Sequence, residues 1–408
     1  MKAIIHIGPP KTGSTALQIS LSNSRDKLAA YGFLYPMLFS PSEVIPFDLH
    51  QHHKFLTRLF VESSEKVRFF KRMGLANSQE GEEWLQQRVH HLDTQIAQSG
   101  AHTCLLSGEH FIDNNYDINA FLCFLQERFD DVQVVAYIRP PYEEYPSYLQ
   151  QRLKAGLAIA KLSLPQDFFG ILTTKLRYPR SPDYLKQVLQ VFGNRLGYHN
   201  VHIVRFSRDL LLGNSIIADF QTRFLSLNKS TSVLFPEITA NQSVTAAAAI
   251  FISVLSNFSD LQISVNQAIH QDVVQRLLAL PVSEVFPKLK IPQTWKALIA
   301  QVNFPTYQWI EETFLKETQD VLIDREYLQD PLPAPISQAE FEDWLLGHLT
   351  PEGVQQILSE IFQQPLPRAQ LTTMLTFPRS WAIFRTCLPE TLYETIKIES
   401  ARESNQEA

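Results

Sequence analysis

The residues that most clearly suggest chemistry lie near the N-terminus, in the stretch "AIIHIGPPKTGSTALQ". Gly8 and Gly13 have the spacing of the glycines in the phosphate-binding loop G-x-x-x-x-G-K-[ST]. In that pattern a lysine follows the second glycine, whereas here a serine and a threonine follow it and the lysine lies inside the loop, at Lys11. A loop between a strand and a helix surrounds an anion with main-chain N–H groups and the positive helix end. The alternative is a proline-rich turn before a capped helix; the order of elements favours a phosphate site.

A second possible anion-binding pair follows a later apolar run. In "VQVVAYIRPPYEEYPSYLQQ" the predicted strand ends at Arg139, and Ser147 comes eight residues later, in the early turns of the next predicted helix. Both side chains could reach one phosphate. Alternatively, Arg139 pairs with Glu143 or Glu144 and Ser147 lies at the surface.

The residues at the ends of these predicted strands indicate whether the site uses a metal ion. An enzyme that hydrolyses a nucleoside triphosphate usually holds magnesium with an aspartate that ends a second apolar strand. The run "HTCLLSGEH" ends near Glu109 and the run "VQVVAYIRPP" ends at Arg139, which repels a metal ion and attracts a second phosphate. The sequence therefore predicts a site for an anionic nucleotide that binds without a metal.

A candidate proton acceptor follows the strand "HTCLLS". Glu109 and His110 lie just past its end, at the sheet edge where ligands bind in open α/β folds. A histidine titrates near neutral pH, so either residue could serve as a general base. The alternative is an exposed glutamate and a packed histidine after a strand. The other histidine-rich stretch, "DLHQHHKF", lacks the ligand spacing of a metal site.

The elements that would position these residues alternate between strand and helix patterns. Lys2 to Ile7 is an apolar run that ends at Gly-Pro-Pro, and Ser14 or Thr15 can cap a helix that continues to about Ala30. Further strands are predicted at "YGFLYP", "HTCLLS", "VQVVAYI" and "VHIVRF", with helices at "DINAFLCFLQERF" and "DYLKQVLQVFG". This alternation predicts a three-layer, P-loop-like α/β fold whose mostly parallel sheet is covered on both faces.

The rest of the chain reads as helical. Residues 41–100 are too many for one crossover, and patterns such as "EEWLQQRVHHLDTQIAQ" predict a helical insertion over one end of the sheet. We therefore expect an α/β domain over residues 1–245, a helical region over 246–399 and a disordered tail over 400–408.

Composition limits the partners of the protein. The chain has 408 residues, of which 45% are hydrophobic and 19% charged, as in ordinary globular proteins. A net charge of −6 gives no support for binding to nucleic acid or to anionic membranes. The three cysteines are widely spaced, which predicts neither a disulfide framework nor a zinc site. No signal peptide or transmembrane segment is recognised, so we expect a cytoplasmic protein.

Together the motifs resemble a known family. "GPPKTGST" after an N-terminal strand, followed by strand-R-x7-S before a helix, resembles the sulfotransferases that use PAPS (3′-phosphoadenosine 5′-phosphosulfate). "KTGSTALQ" is most similar to the bacterial and heparan-sulfate-type members. "YGFLYP", "VRFSRDLLLGNSIIADFQTRFLSLN" and "NQSVT" are further similarities, so the likeness covers about the first 245 residues. The lysine- and glycine-rich C-terminal motif of the animal cytosolic enzymes is not found. The resemblance implies that two sets of residues bind the nucleotide: Lys11, Thr12, Gly13, Ser14 and Thr15 at the 5′-phosphosulfate, and Arg139 and Ser147 at the 3′-phosphate.

The resemblance also implies a reaction. A sulfuryl group would pass from PAPS to a hydroxyl of a carbohydrate or glycolipid and leave 3′,5′-ADP (PAP). Lys11 would stabilise the departing phosphate without a metal, and Glu109, or in second place His110, would take the hydroxyl proton. His52 or His53 would contact the acceptor, or else lie on a solvated helix face.

Two rival functions remain. One is a P-loop nucleotide or small-molecule kinase, which would need magnesium and a lysine directly after Gly13. The other is a non-catalytic nucleotide-binding module whose helical C-terminal half engages a partner.

Overall fold

In the computed structural model of the protein, the chain forms two compact units. The structure describes residues 1–39, 52–75, 77–112, 116–157, 159–168, 183–207, 209–227, 244–255, 274–318, 320–357 and 359. The first unit comprises Met1–Pro141, Phe169–Ala240 and Val302–Glu326; the second comprises Tyr142–Phe168, Asn241–Gln301 and Tyr327–Ala408. The domain boundary predicted at residue 245 lies near one of the points where the chain passes between the units. The tail predicted over 400–408 lies outside the described residues.

The first unit is built on a parallel five-stranded sheet with strand order β2-β3-β1-β4-β5. Four strands fall within the apolar runs that predicted them, and β4 begins one residue before its run; with every pairing parallel, the α/β class and the parallel sheet are confirmed. The strands are β1 (Lys2–His6), β2 (Phe33–Leu34), β3 (Thr103–Ser107), β4 (Asp131–Ile138) and β5 (Val201–Arg205).

Helices make up most of the remaining described chain. The α-helices are α1 (Ser14–Asn23), α2 (Arg25–Ala30), α3 (Ser63–Arg72), α4 (Ser78–Gln98), α5 (Ile118–Gln126), α6 (Pro141–Lys154), α7 (Tyr184–Leu196), α8 (Ile216–Phe224), α9 (Ala246–Leu255), α10 (Gln293–Phe314), α11 (Gln338–Leu346) and α12 (Pro351–Gln356). The 3₁₀ helices are Lys54–Phe60, Glu109–Ile112, Ile159–Lys161, Pro165–Asp167, Tyr198–Asn200, Leu212–Asn214 and Arg325–Leu328. None of the helices in the described ranges is long and apolar enough to cross a membrane.

The prediction of one helix from Ser14 to Ala30 was wrong. Ser24 leaves helical geometry, with φ −112° and ψ 16°, and its N–H donates to the carbonyl of Leu21 at 3.2 Å. The carbonyl of Ser24 then accepts from Leu28 N–H at 2.8 Å and begins α2. The predicted hydroxyl cap was also wrong: Gly13 is the N-cap residue and no side chain caps the helix.

The order of the strands places helices on both faces of the sheet. The chain moves in one direction from β1 to β2, and in the opposite direction from β3 to β4 and from β4 to β5. Because parallel crossovers are right-handed, α1 and α2 cover one face while α5 and α7 cover the other. The core on the first face also takes in α8; it includes Ile4, Leu17, Leu21, Leu28, Leu105, Val135, Tyr137, Ile216, Ile217 and Phe220.

A buried hydrogen bond between Tyr137 of β4 and Asp219 ties α8 to this sheet. Asp219 is fully buried, accepts from Tyr137 Oη at 2.9 Å, and receives Arg223 Nε on both carboxylate oxygens, at 3.0 and 2.9 Å. Burial and the neighbouring carboxylate raise the pKa of Tyr137, which keeps its proton on the hydroxyl. The strand that ends at Ile138 and the helix that follows β5 are thereby held together.

The last segment of the first unit, Val302–Glu326, packs on α7 and β5. Thr306 Oγ1 donates to Asp183 Oδ1 at 2.9 Å, directly before α7. At the end of β5, Arg205 Nη2 lies 3.6 Å from Asp324 Oδ1. A segment far along the chain therefore completes the edge of the sheet.

Both regions that were predicted to be helical contain helices where the structure describes them. Between residues 52 and 98 the insertion consists of the 3₁₀ helix Lys54–Phe60 with α3 and α4. In the second unit α9 is buried along its first eight residues, as the run "AAAAIFISVL" predicted. Described residues after β5 contain no strand.

Candidate functional site

The predicted site residues of the first unit follow three neighbouring strands at one edge of the sheet. The phosphate loop follows β1, Glu109 follows β3 on one side of β1, and Arg139 follows β4 on the other. The chain leaves β1 towards β2 and leaves β4 towards β5, so the connections diverge between these two strands. In open α/β sheets ligands bind outside the carboxyl ends of the strands at such a switch point. The loop and Arg139 flank that point.

The loop between β1 and α1 turns through two left-handed residues. Gly13 has φ 80°, which glycine adopts without cost, whereas Lys11 has φ 69°, which an L-residue with a side chain rarely adopts. Holding a lysine there costs roughly 1 kcal/mol or more, and such strain is concentrated at functional sites. The half-buried Lys11 is therefore kept in the loop by its surroundings rather than by its own preference.

The hydroxyls of the loop are partly used within it. Thr12 is fully buried, and its Oγ1 donates to the carbonyl oxygen of Pro9 at 2.7 Å. Ser14 Oγ lies 3.5 Å from the same oxygen, at the limit of a hydrogen bond. Thr15 is half-buried in the first turn of α1. The hydroxyl of Thr12 thus shapes the loop from within.

Gly13 links the loop to the next two strand ends. A Cβ at this position would lie 3.1 Å from Ile216 Cγ2 and 3.3 Å from Phe206 Cε2. Phe206 follows β5, and its N–H donates to the carbonyl of Ile138 at 2.7 Å, which extends the ladder by one residue. The guanidinium of Arg139 lies over the Phe206 ring, 4.8 Å from its centroid. The Phe206 ring therefore lies against Gly13 of the loop and stacks against the guanidinium of Arg139.

Ser147 lies within α6, in the second unit, and is half-buried. Of the carboxylates that could compete for Arg139, Glu143 is exposed and Glu144 is 4% exposed. Pro146 directly precedes Ser147 and lacks the N–H that would bond to the carbonyl four residues earlier, so the helical ladder is interrupted at this point. The helical position predicted for Ser147 is confirmed.

Glu109 is half-buried and begins the 3₁₀ helix that follows β3. The two residues before it are tightly held. Ser107 is fully buried; its Oγ lies 2.8 Å from His6 Nδ1 and accepts from Gln18 Nε2 at 3.1 Å. Gly108 N–H donates to the carbonyl of His6 at 3.0 Å. The carboxylate is thus carried by a fixed part of the sheet. His110 is the next residue of the same 3₁₀ helix, and its side chain lies outside the described part.

His53 also holds Ser107. The N–H of Ser107 donates to His53 Nδ1 at 3.0 Å, and the N–H of His53 donates to the carbonyl of Ser107 at 2.7 Å. Because Nδ1 accepts, the ring proton is on Nε2, which donates to the carbonyl of Pro36 at 2.9 Å. Burial lowers the pKa of His53 to about 4, so the ring stays neutral. Both ring nitrogens are committed to the main chain, and the geometry supports a structural role rather than acceptor contact. His52 is half-buried and precedes it.

Sequence reasoning missed the network of His6, Ser107 and Gln18. The three residues come from β1, β3 and α1, and the histidine and the serine are 101 positions apart in the chain. One signal was present: a histidine inside an apolar strand directly before a glycine loop must be buried, and a buried imidazole requires a partner.

In the described ranges no three His, Cys, Asp or Glu side chains come together as a metal site would require. No protein-family model, curated protein or solved structure matches this chain.

Proposed function

We propose that the protein is a sulfotransferase that moves a sulfuryl group from PAPS to a hydroxyl of a carbohydrate or glycolipid and releases 3′,5′-ADP. The observation that carries the proposal is the switch point. A loop with an internal lysine follows β1, a stacked arginine follows β4 and a carboxylate follows β3, all on adjacent strands. Such a transfer needs a cation for the 3′-phosphate, a loop that binds the sulfuryl donor and a base. Arg139 after β4, the loop after β1 and Glu109 after β3 would supply them in that order along the sheet. A P-loop-like fold and a cytoplasmic location belong to the same proposal.

The chain would contribute to each bond change. The acceptor oxygen forms a bond to sulfur while the bond from sulfur to the bridging oxygen of the 5′-phosphate breaks. Glu109 takes the proton of the acceptor hydroxyl, and Lys11 stabilises the negative charge that develops on the bridging oxygen. The main-chain N–H groups at the start of α1 hold the oxygens of the transferred group. Positioning and electrostatics carry most of the catalysis, by analogy with phosphoryl transfer.

A binding measurement tests the nucleotide. Thermal unfolding of the full chain is followed with 3′,5′-ADP, with and without EDTA, and in parallel with ATP and magnesium. A ligand that binds the native state alone raises the unfolding temperature. We expect stabilisation by 3′,5′-ADP that EDTA leaves unchanged. Stabilisation by ATP with magnesium alone would support the kinase instead.

A turnover measurement tests the reaction. The enzyme is incubated with PAPS and a panel of octyl glycosides and desulfated heparin oligosaccharides, and the products are examined by mass spectrometry. We expect one glycan to gain the mass of one sulfo group while 3′,5′-ADP accumulates in equal amount. Binding of 3′,5′-ADP without transfer to any hydroxyl would favour the nucleotide-binding module.

A further inference from the structure

His6 lies beneath the phosphate loop and contacts both segments that would carry the chemistry. It ends β1, is 1% exposed, and its Nδ1 lies 2.8 Å from the hydroxyl of Ser107. Its Nε2 is fully buried and makes no hydrogen bond. An imidazole buried in this way is costly, so a gain elsewhere must offset it.

The hydrogen bonds favour one tautomer of this ring. Ser107 Oγ accepts a hydrogen bond from Gln18 Nε2, and His6 Nδ1 is the other partner of this hydroxyl. The Ser107 hydroxyl therefore donates its own proton to His6 Nδ1. The ring proton is then on Nε2. Burial lowers the pKa of His6 to about 4, which keeps the ring neutral near pH 7.

The Nε2 edge of the ring explains the first glycine of the loop. A Cβ on Gly8 would lie 2.7 Å from His6 Nε2 and 3.0 Å from His6 Cε1. Gly8 is not among the glycines with positive φ, so its main chain does not require glycine. Glycine is needed at this position because the main chain passes directly over the histidine ring.

We propose that His6 is a positioning residue, which sets the path of the phosphate loop through Gly8 with one ring edge and fixes the Glu109 segment through Ser107 with the other. This inference rests on the proposed function. It assigns to one side chain the spacing between the donor loop and the base, where a shift of about 1 Å can cost 10²-fold in rate.

The two ring edges can be tested separately. Ser107→Ala removes the hydroxyl and leaves the ring against the loop. We expect kcat with the best acceptor of the glycan panel to fall about tenfold or more, while the Kd for 3′,5′-ADP stays within about twofold. His6→Ala should lower kcat similarly. The double variant His6→Ala, Ser107→Ala should be no slower than His6→Ala alone, because both substitutions break the same contact between His6 and Ser107. If Ser107→Ala does not fold, Ser107→Cys removes most of the hydrogen bond at similar volume and should show the same split.

The loop edge is tested by rescue. Gly8→Ala should weaken 3′,5′-ADP binding at least about tenfold, because the added methyl group displaces the loop from the ring. His6→Asn lacks the two ring atoms that this methyl group would meet and keeps an amide in place of Nδ1. Adding it to Gly8→Ala should therefore restore most of the affinity.

A matched control lies at the opposite end of β3. His102 Nδ1 lies 2.8 Å from Thr103 Oγ1, the same kind of bond away from the loop. His102→Ala should leave both kcat and the Kd for 3′,5′-ADP unchanged. A merely structural His6 would lower the unfolding temperature without changing either constant at lower temperature. Wild-type kcat in Ser107→Ala, or no rescue of Gly8→Ala by His6→Asn, would overturn the inference. If the wild-type chain neither binds 3′,5′-ADP nor transfers a sulfuryl group, the proposed function itself fails.

Discussion

Lys11 combines a charge that the proposed reaction needs with a main-chain conformation that lysine rarely adopts. The left-handed φ of 69° would suit glycine better, so the side chain is kept at a cost in folding free energy. Glu109 is placed differently, since the residue two positions before it is held by three side chains, His6, Gln18 and His53. Lys11 is thus held in a conformation that its own main chain disfavours, whereas Glu109 follows a residue that several hydrogen bonds fix in place.

The charge of Lys11 should matter more during transfer than in binding. Lys11→Met should lower kcat more than it raises the KM for PAPS, because the bridging oxygen gains charge only as its bond to sulfur breaks. Lys11→Gly is the matched variant: it removes the same charge and relieves the left-handed strain, so it should unfold at an equal or higher temperature and be equally slow. Steady-state kinetics and thermal unfolding measure both. An equal loss in kcat and in affinity would mean that the lysine only binds.

Glu109 is predicted to take the proton of the acceptor. Glu109→Gln keeps the shape but cannot accept that proton, so kcat should fall by about 10² to 10⁴. The Kd for 3′,5′-ADP, measured by titration calorimetry, should barely change. His110→Ala is the comparison. An inactive His110→Ala beside a normal Glu109→Gln would assign the role to the histidine.

At the scale of the elements, the sequence predicted the strands better than the helix ends. Apolar runs bounded by Gly, Pro and Ser are local signals, and β1, β3, β4 and β5 all carried one. The break at Ser24 was not predictable from the pattern, because Leu21 and Leu28 keep a helical spacing and both reach the same core. The positions of the loop, Glu109 and Arg139 at strand ends could be predicted, because each begins within two residues of the end of a strand. The roles of His6 and His53 were not, because their partners lie far along the chain or are main-chain groups.

The segment from β4 into α6 should decide which nucleotide binds. PAPS differs from adenosine 5′-phosphosulfate only in its 3′-phosphate, which a guanidinium can hold through two hydrogen bonds and a serine hydroxyl through a third. The double variant Arg139→Ala, Ser147→Ala should bind PAPS more weakly and leave adenosine 5′-phosphosulfate nearly unaffected. Loss of one charge-assisted bond costs roughly 1.5 to 3 kcal/mol, so the preference should shrink at least about tenfold.

Titration calorimetry of both nucleotides against the wild-type chain and this variant measures that preference. If Arg139 is instead engaged by Glu143 or Glu144, the ratio of the two affinities will not change. That result would remove both residues from the site and weaken the sulfotransferase proposal.

At the scale of the whole molecule, the two buried histidines make stability depend on pH. Burial lowers the pKa of His6 and of His53 from 6.5 to about 4 in the folded chain. Between these values the unfolded chain binds protons that the folded chain does not. Stability should therefore be unaffected by these groups above about pH 6.5, fall as the pH drops from 6.5 to about 4, and change no further through them below that.

Between pH 7.5 and pH 5, each histidine should lower the free energy of unfolding by roughly 1 to 2 kcal/mol. Urea unfolding followed by circular dichroism at pH 7.5 and pH 5 measures the loss. A chain with His6→Asn and His53→Asn should lose less stability over this interval than the wild-type chain. An identical loss in both would show that other groups, such as carboxylates, dominate the acid sensitivity.

The first unit is discontinuous in sequence, so the ribosome makes its last segment well after its strands. The five strands that the structure describes have been made by residue 205, yet the segment that packs on α7 and β5 through Thr306 and Asp324 comes only with Val302–Glu326. At ~5–20 residues per second, a ribosome needs roughly 6 to 24 s to add residues 206–326. During that interval the edge strand β5 waits without its last neighbour. A chain cut at residue 245 would remain in this state permanently, so we expect such a fragment to bind chaperones and to aggregate.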